Sequence, residues 1–338
     1  MKISVFGSGG WGTAISVLLN SNGHNVTLWS AFEDEAANLC EQRENPLLKG
    51  VIIPDDVNIT SDIDKATQKI DIAIMAAPSF AVRSTAEKLK GRLPDGCIVV
   101  CISKGIEQTT SMRFSQILEE TLGANVHIAS LSGPSHAEEV GRGIPTACVV
   151  AAKEKDIALT VQNVFTSPRF RVYTSNDIVG VEMGAAFKNI IALCAGVCDG
   201  LGLGDNTIAM LMTRGLAEIA ELTVALGGRK ETLAGLAGVG DLIVTCTSRH
   251  SRNRRAGVLI GKGIEVHDAM RQVGAVVEGY YAANAAHELS QKTGVETPIC
   301  DEAYKILYEG KKPIDSLKEL MSRTPRPEDS GYGSWSLE

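Results

Sequence analysis

The sequence predicts an α/β protein, with a doubly wound parallel sheet in its N-terminal half and a mostly α-helical C-terminal domain. Three observations carry that reading. Short apolar runs alternate with helical patterns as far as about residue 175. Several of those runs lack the in–out alternation of half-exposed strands, as expected for strands covered on both faces. Beyond residue 176 strand patterns nearly vanish and long helical patterns take over.

The elements follow in order. "KISVF" (2–6) and "NVTLW" (25–29) read as the first two strands, with the glycine-closed helix "TAISVLLNSNG" between them. "DIAIMAAP" (71–78), "CIVVCIS" (97–103), "VHIASLS" (126–132), "TACVVAA" (146–152) and "FRVYT" (170–174) read as further strands, and "FAVRSTAEKLKG" as another helix. "SNDIVGVEMGAAFKNIIALCAGVCDGL" opens with a Ser-Asn-Asp start signal and is apolar almost all round, so it belongs in the core of a second domain. "NTIAMLMTRGLAEIAELTVALGG" and several shorter helical patterns complete that domain. The expected division is 1–176, 177–322 and a Pro/Gly/Ser-rich, poorly ordered tail at 323–338.

Composition bounds the function. The 338 residues carry a net charge of -7, with 44% hydrophobic and 22% charged residues, an ordinary balance for a chain with a real core. A general nucleic-acid binder would show a basic face, and this chain is acidic. No apolar run is read as reaching the roughly 18 residues that span a membrane, and the glycine-interrupted N-terminus is not a signal peptide. The eight cysteines form no CxxC pair and no metal-ligand set, so no metal is expected. They read as structural thiols in a reducing, cytoplasmic compartment.

Gly7-x-Gly9-x-x-Gly12 follows the first strand and opens a helix, the context that a dinucleotide-binding loop requires. Gly7 permits a tight turn, Gly9 lets backbone approach a pyrophosphate, and Gly12 lets helix pack on strand. The first domain is therefore expected to be Rossmann-like and to bind a dinucleotide. After the second strand an acid would favour NAD and an Arg NADP. This chain has Ser30 and Ala31 there, with Glu33 slightly late, and the choice stays open.

Further candidates lie at strand ends and in the apolar helix. Lys104 ends a strand, where ligands of an open α/β sheet gather. Gly133-Pro134-Ser135 forms a turn in which Ser135 either caps the next helix or meets a ligand, and His136 reads as structural. Lys188 interrupts an apolar helix, where burial lowers an ammonium's proton affinity and suits it to acid–base work. Asn189 beside it has the chemistry to orient a hydroxyl. Asp241 sits on a glycine-flanked turn in an apolar setting and needs a cation, for which Lys188 is the candidate. Four arginines (Arg249, Arg252, Arg254 and Arg255) crowd into seven residues, and Arg252 with Asn253 offers planar donors for phosphate oxygens. A carboxylate, a lysine base and a phosphate clamp describe a site for a small hydroxylated phosphate ester.

"GSGGWGTA", "ISKGIE", "SGPSHAEEV", "AAFKNIIAL", "GLAGVGDLIVTCTSRHSRNRRAG" and "VVEGY" together resemble the bacterial cytosolic NAD(P)-dependent glycerol-3-phosphate dehydrogenases, in order over roughly residues 1–322. The resemblance implies interconversion of sn-glycerol 3-phosphate and dihydroxyacetone phosphate with NAD or NADP, feeding phospholipid synthesis. It implies Lys188 as proton acceptor, with Asp241 and Lys104 in the catalytic group. It assigns Lys104, Gly133, Ser135, Lys188, Asp241, Ser251, Arg252 and Asn253 to the substrate. It assigns Gly10, Trp11, Lys104, Ala137, Arg252, Val276 and Glu278, beside Gly7, Gly9 and Gly12, to the cofactor. Two departures stand out: Gly10 where many members carry Ser, and Ser30-Ala31 where many carry Arg. A homodimer is compatible with such an architecture. A dinucleotide-binding sensor would explain the glycine loop but not the lysines, Asp241 and Arg252 together. A ketoacid reductase gives no reason for a phosphate clamp.

Overall fold

In a computed structural model of the chain, residues 1–325, 327 and 328 are described, so most of the expected tail lies outside the described residues. Among them, eight strands form one sheet. These are β1 (Lys2–Phe6), β2 (Asn25–Trp29), β3 (Asn58–Thr60), β4 (Ile72–Met75), β5 (Ile98–Cys101), β6 (His127–Ser132), β7 (Thr146–Ala152) and β8 (Phe170–Ser175). Their order is β3-β2-β1-β4-β5-β6-β7-β8, with the order reversing between β1 and β4. Ligands of such sheets bind at that switch point, outside the carboxyl ends of the strands. The three-residue β3 carries too little pattern to be read from sequence.

The helices of this half are α1 (Gly10–Ser21), α2 (Glu33–Gln42), α3 (Ile63–Thr67), α4 (Val82–Leu89), α5 (Phe114–Leu122), α6 (Ala137–Gly141) and α7 (Lys155–Phe165). Strand residues alternate between two buried faces. Ile3, Val5, Ile72 and Ile74 meet Ile15 and Leu19 of α1 and Phe165 of α7. Phe6, Ala73, Met75 and Val99 meet Val82 and Leu89 of α4 and Phe114 of α5. The expected parallel sheet is corrected at one seam, because β6 and β7 pair antiparallel, with Ala129 opposite Ala152. The connecting α6 has five residues and rises only about 7–8 Å. That is too little to carry the chain back along β6, so β7 enters where β6 ended.

After β8 the chain becomes helical: α8 (Ile178–Gly200), α9 (Asp205–Ala225), α10 (Lys230–Leu233), a π-helical turn (Leu236–Gly240), α11 (Asp241–Thr247) and α12 (Arg252–Gly261). Then follow α13 (Val266–Val273), α14 (Glu278–Thr293), α15 (Pro298–Tyr308) and α16 (Pro313–Met321). Asp177 caps α8 by accepting from Gly180 N at 2.8 Å, and its other oxygen accepts from Thr232 Oγ1 at 2.6 Å. By length and composition α8 would cross a membrane, which corrects the expectation that no run is long enough. Its apolar window is 89% buried inside the protein, and α9, α12, α14 and α15 wrap it. Its polarity profile is thus that of a central core helix.

The contact between α8 and α12 is glycine against backbone. A methyl at Gly257 would stand 2.0 Å from Leu193 O, and one at Gly196 2.1 Å from Arg254 O. Only glycines let the two helices approach this closely, and the approach places the start of α12 alongside the residues that follow Lys188.

Candidate active site

Asp241 is the centre of the site. The π-helical turn Leu236–Gly240 runs directly into α11 and presents Asp241 as its first residue. Such turns are rare and recur at functional positions. Asp241 is 2% exposed, and each of its oxygens accepts from a different lysine. Lys188 Nζ donates to Oδ1 at 2.7 Å, and Lys104 Nζ to Oδ2 at 2.7 Å. The expected Lys188–Asp241 partnership is present, and Lys104 is a second partner that the sequence did not reveal.

Each lysine has further contacts. Lys188 donates to Thr245 Oγ1 at 2.6 Å, and Thr245 in turn donates to Asp241 O one helical turn earlier. Thr245 was not singled out, although its i+4 spacing from Asp241 on a helix is a usable signal. Lys104 donates to Gly133 O at 3.0 Å and reaches Ser135 Oγ at 3.5 Å. Two strand ends, those of β5 and β6, and two C-terminal helices, α8 and α11, therefore converge on one carboxylate.

The electrostatics follow from burial. Desolvation lowers Lys188 from 10.5 to about 8, Asp241 opposes that shift, and Lys104 adds to it. For Asp241, burial pushes the carboxyl up, but the two lysines outweigh it and hold the group below the usual carboxylate range. The cluster is one anion between two ammonium groups, so it has charge left over for an anionic ligand.

His136 gains weight here. Its Nε2 is buried with no hydrogen-bond partner, and burial first, with Glu138 opposing and the two lysines adding, lowers the ring's proton affinity. Its ring stands 6.0 Å from that of His250, which joins the Gly133–Ser135 turn to the arginine-bearing loop. Ser135 does not cap α6, since its hydroxyl donates to Gly133 O and the N-cap position is His136.

The arginine stretch divides. Ser251 caps α12 by accepting from Arg254 N at 3.2 Å. Arg254 pairs with Asp199 at 2.6 Å and is thereby a brace to the end of α8. Asn253 is buried: it donates to Asn189 Oδ1 at 2.8 Å and accepts from Gly279 N at 2.8 Å. Its amide ties α8, α12 and α14 together through one N–H and its carbonyl oxygen, leaving a second N–H that these bonds do not use. Asn189 is held by the same bond, which leaves its carbonyl oxygen engaged rather than open to a hydroxyl. Arg252, exposed at the first turn of α12, keeps its guanidinium on the surface; burial pushes the Glu278 carboxyl up, and Arg252 partly opposes that rise.

The glycine loop fits a dinucleotide. Gly7 has φ +127°, and a methyl there would stand 2.6 Å from Ala76 O. A methyl at Gly12 would stand 1.9 Å from Gly7 O. At Gly9, by contrast, a Cβ would meet nothing within 4 Å, so the open side of the loop faces space at the N-terminus of α1. Trp11 anchors the rim by donating Nε1 to Ile102 O at 3.2 Å. Gly10, Ala137 and Val276 are partly buried, and Glu278 begins α14 with its carboxylate close to Gly105.

Comparison with known proteins places the chain's sequence and fold in a family. The family model described as "NAD-dependent glycerol-3-phosphate dehydrogenase N-terminus" matches residues 2–158, and the corresponding "C-terminus" model matches residues 177–318. A glycerol-3-phosphate dehydrogenase [NAD(P)+] of Moorella thermoacetica is 52% identical over 99% of this chain and 99% of its own length. One of Fusobacterium nucleatum is 49% identical over 97% of this chain and 98% of its own length. A crystal structure of glycerol-3-phosphate dehydrogenase from Coxiella burnetii superposes with a TM-score of 0.91 at 34% identity, covering 95% of this chain and 99% of that one. Matched at this depth along its whole length, the chain belongs to the NAD-dependent glycerol-3-phosphate dehydrogenase family and is an NAD(P)-dependent oxidoreductase.

Proposed function

We propose that Lys188 is the acid–base group of the interconversion of sn-glycerol 3-phosphate and dihydroxyacetone phosphate. The observation that carries this is Lys188's lowered proton affinity inside a carboxylate-bridged lysine pair. A nicotinamide dinucleotide held over the Gly7–Gly12 loop would supply the hydride chemistry at C2. Lys188 takes the C2 hydroxyl proton in oxidation and gives it back to the carbonyl oxygen in reduction. Lys104 faces the same oxygen and stabilises its developing charge. Asp241 orients both lysines. Arg252 binds the phosphate and positions C2, while the Gly133–Ser135 turn and Ser251 line the substrate. Gly7, Gly9, Gly10, Trp11, Gly12, Ala137, Val276 and Glu278 hold the dinucleotide, with Arg252 and Lys104 at its edge.

On this reading residues 1–176 carry the cofactor, residues 177–322 carry the substrate, and the protein supplies glycerol 3-phosphate for phospholipid synthesis. The eight free cysteines agree with a cytoplasmic setting. The test is Lys188→Ala in purified protein. Dinucleotide affinity should persist while turnover falls by at least about a thousandfold. Near-normal turnover in the folded variant would remove Lys188 from the mechanism.

A further inference from the structure

NAD and NADP differ by one phosphate on the adenosine ribose, and the residues at the end of β2 bear on that difference. Ser30 is fully buried and donates Oγ to Glu35 Oε2 at 2.5 Å. Ser8, inside the glycine loop, donates Oγ to the same oxygen at 2.9 Å. Glu35, in the first turn of α2, thus reaches back to both segments between which an adenosine ribose lies in this fold.

The neighbourhood holds this carboxylate in place. Asn45 Nδ2 donates to Ser8 O at 2.7 Å and to Thr13 Oγ1 at 2.6 Å. A methyl at Gly10 would stand 3.0 Å from Leu47 O, so the lack of a side chain there lets the 45–48 turn close over the loop. Ser30 Oγ also accepts from Phe32 N at 3.2 Å, which leaves Glu35 as its acceptor. No lysine or arginine occurs from residue 3 to residue 42, while Glu33 and Asp34 stand beside Glu35. Arg43, the next cation, donates its guanidinium to the carbonyls of Pro54 and Val57.

We infer that Glu35, held by Ser8 and Ser30, makes this chain selective for the dinucleotide that lacks the 2′-phosphate. A carboxylate accepts hydrogen bonds from ribose hydroxyls. A 2′-phosphate, with about two negative charges near neutral pH, meets that carboxylate, and residues 3–42 supply no lysine or arginine to balance it. The proposal rests on the reading that the dinucleotide lies over the Gly7–Gly12 loop.

The test measures binding of NADH and NADPH to the purified full-length protein by cofactor fluorescence, without substrate. NADH should bind at least about thirtyfold more tightly at low salt, and the gap should narrow as ionic strength rises. Glu35→Gln keeps the size and removes the charge, so NADPH should gain about tenfold while NADH loses a fewfold. The same ranking should hold for 5′-AMP over 2′,5′-ADP. Equal or tighter NADPH binding, or an unchanged ratio in Glu35→Gln, overturns the proposal. If neither dinucleotide binds, it is the glycine-loop reading that fails, and the selectivity falls with it.

Discussion

Removing the charge of Asp241 and removing the charge of Lys104 should move the pH dependence of turnover in opposite directions. Lys188 falls from 10.5 to about 8, a bias on the order of 3 kcal/mol against the ammonium at about 1.36 kcal/mol per pH unit. Oxidation needs the neutral amine, so kcat/KM for glycerol 3-phosphate should climb about tenfold per pH unit below 8 and level off above it. Reduction needs the ammonium and should fall above pH 8. Asp241 favours that ammonium and Lys104 opposes it. Asp241→Asn should therefore shift the midpoint down and Lys104→Met should shift it up. At an effective dielectric near 20, one charge removed from such a cluster is worth on the order of 2–3 kcal/mol before reorganisation, or roughly one to two pH units. Both variants will also lose amplitude, so the midpoint is the quantity to read. The assay is single-turnover oxidation at saturating cofactor, with C2-deuterated substrate to identify the hydride step. Midpoints that move the same way, or a wild-type limb far from pH 8, would refute the shared-carboxylate account.

Arg252→Ala should weaken substrate binding by about 2 kcal/mol, roughly thirtyfold in KM, with a smaller change in kcat; steady-state kinetics in both directions would show a fall confined to kcat if the clamp reading is wrong. Gly257→Ala sets a methyl 2.0 Å from Leu193 O, so α12 must move off α8 at about 1–3 kcal/mol or more, read by urea unfolding together with lost activity. Glu218 is buried where Ile299 N and Cys300 N donate to it, and burial pushes it up to about 8. Its folded-state value lies above the unfolded one, so the folded state retains the proton, and stability falls as pH rises from about 4.5 to about 8, by on the order of 5 kcal/mol. Glu218→Gln should flatten that slope in urea titrations at several pH values; an unchanged slope would exclude Glu218 as its source.

The strands, the glycine loop and the apolar helix were legible in the sequence because each depends on local pattern: burial on both faces, a turn that only glycine permits, and a long apolar run behind a helix-start signal. Lys188 and Asp241 were legible because a charge in an apolar run calls for a partner wherever the fold puts it. Contacts between distant segments were not. Lys104 lies 137 positions from Asp241, and nothing near either residue indicates that one carboxylate bridges two lysines. The antiparallel β6–β7 seam depends on how far a short helix climbs, which composition does not reveal. Asn253 and Arg254 sit in a run that looks like a phosphate clamp, yet the glycine-lined approach of α12 to α8 buries Asn253 against Asn189, pairs Arg254 with Asp199 at the surface and leaves Arg252 facing out. Residue type sets the chemistry available at each position, and that much the chain itself determined. Which groups share a proton, a charge or a ligand depends on distances of a few ångströms between segments far apart in sequence, and those the tertiary packing decided.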